Sequence, residues 1–138
     1  MVIIADMALD PSITTSGPWR ALEPGAAAVL AHLLATDFPG RAELQAQARS
    51  ALVCRIDREG SLRFQTEEPR AQVRGRVPVE GRYHDDRTSA EPHRPAVNLL
   101  LHVIEGRLHE LEVYKDDGSD ILIGPYEVPL AEIEVSAN

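Results

Sequence analysis

Three groups of residues have side chains and spacings that can do chemistry. The first is Tyr83, His84, Asp85, Asp86 and His93, which fall within eleven residues and combine imidazole with carboxylate, a donor set that suits zinc or manganese. No helical i, i+4 spacing fixes the two imidazoles. His84, Asp85 and His93 are therefore candidate metal ligands on a loop, and a solvated loop explains them better than a metal site. The second group is His102 and His109. Symmetric pairing about a Glu105-Gly106 turn sets them opposite each other on adjacent strands, which makes them candidate catalytic residues. A half-buried, hydrogen-bonded pair is the commoner outcome of such an arrangement. The third is Glu110 and Glu112, read as sharing a face with Leu108 and Tyr114. Two carboxylates in different environments can divide general acid and base roles, but carboxylates two apart on one strand also describe a sheet surface that meets a partner. The second account is preferred, and Glu110, Glu112, Tyr114, Asp116 and Asp117 are the expected binding residues.

The strands that must position these groups are the most legible part of the chain. Residues 97 to 104 and 107 to 114 are rich in Val, Leu, Ile and Tyr and flank Glu105-Gly106, a pair that suits a tight hairpin. Leu99, Leu100, Leu101, Val103 and Ile104 leave little polar surface, so the hairpin is expected at the centre of a sheet with both faces covered. Upstream, Pro24 fits a first helical position, and Ala26, Val29, Leu30, Leu33 and Leu34 form an apolar stripe to about Ala35. Asp37-Phe38-Pro39-Gly40 ends it, and residues 41 to 50 predict a second, shorter helix.

ALVCRID and LRFQT around Arg58-Glu59-Gly60-Ser61 read as another hairpin, with Leu52, Cys54 and Ile56 turned inward. AQVRGRVPV reads as a further strand that Pro78 confines to an edge. Residues 1 to 18 read as a loose arm, residues 80 to 96 as the longest loop, and ILIG and LAEIEV as weak strands near the end. The fold class expected is α+β, with two N-terminal helices packed on one face of an antiparallel sheet of about five strands, in a single domain spanning 1 to 138.

Composition narrows the function. The chain of 138 residues has a net charge of −8, and residues 96 to 138 carry nine acidic against two basic groups. That half repels nucleic acid and attracts a basic surface. The opening residues lack a basic region and an apolar core of signal-peptide length, and no stretch has the length of a membrane span. A single cysteine, Cys54, permits no internal disulfide, which fits a reducing cytoplasm. KDDGSD lacks the twelve-residue spacing of a calcium-binding EF-hand, and phosphate-loop, dinucleotide and nucleophile-elbow motifs are absent. No cofactor is expected. Thirteen of the fourteen basic residues are Arg, a bias that points to a GC-rich bacterial genome.

Arg20 and Leu22, then Gly60, Ser61 and Leu62, then Gly106, Leu108, Glu110, Leu111, Glu112, Asp117 and Gly118 carry a resemblance. They are similar to a loosely defined group of small bacterial domains of unknown function that share a G-x-L-x-E-L-E-x-x-x-x-D-G strand and turn. The resemblance implies helices over an antiparallel sheet and brings no reaction with it. The expected function is a non-catalytic interaction module of toxin-neutralising or regulatory type. Its partner is a basic protein or a second copy of the chain, and neither nucleic acid nor a membrane. The alternative is a small metal-dependent or acid–base enzyme built on the loop and hairpin histidines.

Overall fold

A computed structural model describes residues 16–67, 69–86 and 94–138. Along the chain run β1 (Ser16–Ala21), α1 (Pro24–Leu33), α2 (Arg41–Ser50), β2 (Leu52–Arg55), β3 (Leu62–Gln65), β4 (Val79–Tyr83), β5 (Val97–Ile104), β6 (Arg107–Lys115), a 3-10 turn (Leu130–Glu132) and β7 (Glu134–Ala137). The strands form one sheet of seven in the order β1-β2-β3-β6-β5-β4-β7, and every pairing is antiparallel. This overturns the expected α+β sheet of about five strands with two N-terminal helices. The helices follow a strand instead of opening the fold, and one outermost strand, β1, comes from a segment read as a loose arm, while the other, β7, overlaps the weak strand expected at LAEIEV. In β1, Gly17 and Pro18 hide the strand signal; an edge position tolerates them, and the β1–β2 register is irregular between Ser16 and Arg20. Strand β4 begins only after Pro78, so most of AQVRGRVPV is not strand, and the expected long loop instead starts with strand residues. ILIG forms no strand.

The β5–β6 hairpin lies in the middle of the sheet. Glu105 (φ 53°) and Gly106 (φ 77°) both take the left-handed conformation that a two-residue hairpin turn with matching twist requires. Only glycine fits at 106, because a Cβ there would lie 2.6 Å from the Ala71 carbonyl oxygen. The hairpin is not covered on both faces as expected. Along β5, Val97, Leu99, Leu101 and Val103 are buried while Asn98, Leu100, His102 and Ile104 are only half-buried. The apolar run therefore alternates after all, with Leu100 and Ile104 on the less protected side.

The buried face meets the helices. Val29, Leu30, Leu33, Leu34 and Leu44 join Val53, Phe64, Val79, Leu99, Leu101, Leu111 and Val113 in one hydrophobic cluster. Gln47 is fully buried within this layer. Its amide nitrogen donates to the carbonyls of Pro69 (2.6 Å) and Gly106 (2.8 Å), and its oxygen accepts the Leu108 N–H (2.9 Å), so α2 grips the hairpin turn. Ser61 does the same for β3, accepting the Val113 N–H at 2.9 Å. The segment after β6 crosses the buried face, where the Tyr83 hydroxyl donates to the Ile123 carbonyl at 2.7 Å. Burial, reinforced by nearby Asp85, raises the Tyr83 phenol well above its usual range. Among the described residues no helix is long and apolar enough to cross a membrane.

Candidate functional site

The other face of the sheet carries the chemistry. Directly paired residues on antiparallel strands point the same way, so the register Cys54↔Arg63, Arg63↔Glu110 and Glu110↔His102 draws one row across four strands. A neighbouring row sets Leu100 beside Glu112 and Glu80, and a third sets Asn98 beside Tyr114 and Arg82. Among the described residues no helix packs on this side. Cys54 is buried as expected for a small apolar cysteine, but on this face and apart from the core cluster, while Val53 takes the inward position.

A β-bulge decides which groups meet. His102 pairs with Glu110 and Val103 with Leu108, leaving His109 as the extra residue. The expected His102–His109 pair is therefore not formed. Leu108 is also moved off the face that it was expected to share with Glu110, Glu112 and Tyr114, and into the core. Instead, the His102 Nε2 lies 2.8 Å from the Glu112 carboxylate, and the Arg63 guanidinium lies 3.5 Å from Glu110. The second His102 nitrogen, Nδ1, is shielded from solvent and has no hydrogen-bond partner among the described residues. Burial and the Arg63 charge hold His109 below the usual histidine range, so this imidazole is biased toward its neutral form.

Glu110, Glu112 and Tyr114 then line a shallow concavity of about 380 Å³ with residues that the sequence does not link to them. Asp57 and Glu59 arrive from the β2–β3 turn and Asp120 from the segment after β6. Five carboxylates thus share the lining with Tyr114, which is 40% exposed. The cations in the lining are Arg58, which spans Glu59 (3.2 Å) and Asp120 (3.6 Å), and Lys115. Lys115 is already committed to the buried Asp85, with its Nζ 3.0 Å from Oδ1. The β2–β3 turn is acidic in sequence, but nothing in that sequence reveals that β3 pairs with β6.

The remaining candidates have structural duties. Asp85 accepts from Lys115 and from the Leu122 N–H, and His84 Nδ1 lies 3.4 Å from the Pro95 carbonyl. His93 lies outside the described residues. Among the described residues no three His, Cys, Asp or Glu side chains are placed to hold a metal ion. Asp116 accepts from the Ala96 N–H (3.0 Å) and the Asn98 amide (2.6 Å), and these donors pull its pKa below the ordinary carboxylate value. Asp117 closes its own turn by accepting from the Ser119 hydroxyl (2.6 Å) and N–H (3.0 Å), which likewise lower its pKa. Asp116 and Asp117 therefore stabilise the end of the hairpin, whereas Glu110, Glu112 and Tyr114 share a surface.

A family model described as a domain of unknown function, DUF6984, matches residues 19–125. The chain belongs to this family. No curated protein and no solved structure matches it. The DUF6984 span takes in the end of β1, the strands β2 to β6 and both helices, and every residue named in the concavity falls inside it. The family description gives no reaction, ligand or partner.

Proposed function

We propose that this DUF6984 protein is a non-catalytic interaction module that docks a basic protein partner on the face of its sheet opposite the helices. The observation that supports this reading is the convergence of Asp57, Glu59, Glu110, Glu112 and Asp120 on one concavity that exposed Tyr114 also lines. A negative concavity steers a positive surface and sets its orientation, and a solvent-accessible tyrosine supplies rigid contact area at low entropic cost. Beyond the rim, half-buried Leu100 and Ile104 and exposed Leu52 offer apolar area for the same contact.

An acid–base role for His102 with Glu112 has less support. A catalytic imidazole needs one nitrogen free to meet substrate, and here one faces a carboxylate while the other is shielded. Cys54 and His102 are three strand spacings apart, roughly 14 Å at ~4.8 Å per spacing, so they do not form a thiolate–imidazole pair.

The test is affinity capture from the native host with the wild type and with a Glu112→Lys/Asp120→Lys variant. A partner rich in Lys and Arg, released by moderate salt and lost with the variant, supports the reading. Unchanged capture by a variant that remains folded ends it. Self-association of the purified protein through this face, seen by sedimentation, would replace the basic partner with a second copy.

A further inference from the structure

A second concavity, which adjoins the first at Arg58 and Glu59, opens toward the helix side of the sheet. It measures about 490 Å³ and is bounded by the first turn of α1, the β2–β3 hairpin and residues 124–127. Its floor is apolar, formed by the buried side chains of Ala26, Val53 and Leu62. One wall is Tyr126, which is docked between two glycines. A Cβ on Gly25 would lie 3.1 Å from the Tyr126 carbonyl oxygen, and one on Gly60 would lie 3.2 Å from its ring. The Tyr126 hydroxyl donates to the Gly60 carbonyl, and burial raises its pKa, so this wall is fixed and uncharged.

The rim differs from the floor. Arg20, Arg55 and Arg58 line it together with Glu23, Glu59 and Glu127, so cationic and anionic groups are equal in number. Arg55 is oriented by its contacts with the carbonyls of Asp57 (2.8 Å) and Arg58 (3.2 Å). Arg20 and Glu23 are 3.5 Å apart, and both side chains are more than half exposed. An exposed pair of that length is weak and exchanges readily for better partners. An anion alone would strand the glutamates, and a cation alone would strand the arginines. A ligand carrying both charges satisfies both.

We propose that this cavity binds a zwitterion with an apolar side chain, that is, a free amino acid or a short peptide. Its carboxylate is held by the rim guanidiniums, its ammonium by the rim carboxylates, and its side chain lies on Ala26, Val53 and Leu62. An apolar floor with a few convergent polar groups and a volume in this range is the usual form of a small-molecule site. The cavity shares Arg58 and Glu59 with the acidic concavity, whereas Arg20, Glu23 and Arg55 line this one and not the other.

Calorimetric titration of the full chain with three probes of similar shape tests it: phenylalanine, 3-phenylpropanoate and 2-phenylethylamine. Phenylalanine is expected to bind saturably and about tenfold or more tighter than either singly charged probe. Arg20→Gln and Glu23→Gln, both at exposed positions, should each lower that affinity by about tenfold without changing thermal stability. The proposal is overturned if phenylalanine gives no saturable heat, if a singly charged probe binds as well, or if neither substitution changes the affinity.

Discussion

Replacing Gln47 by alanine tests how the central hairpin is held. The side chain is fully buried and makes three hydrogen bonds, all to backbone groups of other segments. The Gly106 carbonyl keeps the Ala71 N–H at 2.8 Å, so its loss is partial. The Leu108 N–H and the Pro69 carbonyl lose the partners described above. Each bond contributes about 0.5–1.5 kcal/mol net, and a buried group left unpaired costs about 1–3 kcal/mol. Allowing for overlap between these terms, Gln47→Ala should destabilise by about 3–4 kcal/mol, a large share of the ~5–15 kcal/mol typical of a domain. Gln47→Glu should cost at least as much, because it replaces the amide donor with a carboxylate facing two carbonyls. Urea unfolding followed by far-ultraviolet circular dichroism measures both variants. A loss below about 1 kcal/mol for Gln47→Ala would refute the claim that α2 clamps the hairpin through these bonds.

Lys115→Ala should cost about 3–5 kcal/mol in the same assay, since it leaves Asp85 buried without its cation; Lys115→Met/Asp85→Leu should recover much of the loss. Equal stability of the two variants would show that the pair is not what the site depends on. His109 provides a pH test. Its folded-state pKa lies below the unfolded value near 6.5, so its contribution is complete above that value and is lost as pH falls toward the folded pKa. Thermal melts between pH 7.5 and 5 should therefore fall less steeply for His109→Gln than for the wild type, and parallel curves would contradict this.

How much of this was legible in the sequence depends on how local each signal is. The Glu105-Gly106 turn and the apolar stripe Ala26, Val29, Leu30, Leu33 and Leu34 are local patterns, and both are found where the pattern puts them. The count of strands fails because Gly17-Pro18 mask β1, where edge pairing tolerates them, and because β4 starts only after Pro78 and is paired on both sides, by β5 and β7, not confined to an edge. One inserted residue at His109 exchanges faces for everything before it on β6. Alternation therefore puts Leu108 with the carboxylates, and symmetric pairing about the turn puts His102 opposite His109, whereas the bulge undoes both. For the candidate site, Glu110, Glu112 and Tyr114 could be read from one strand. Asp57, Glu59 and Asp120 could not, because they reach the concavity only through the β3–β6 pairing and the path of the chain after β6.

Hydroxyl-radical footprinting of the captured complex tests most directly whether partners meet the sheet face opposite the helices. Tyr114, Leu52 and Leu100 are predicted to be protected on binding, while exposed Leu122 and Leu130, on the segment that crosses the other side, react as in the free protein. Protection of Leu122 and Leu130 with Tyr114 unchanged would place the partner elsewhere and contradict the account.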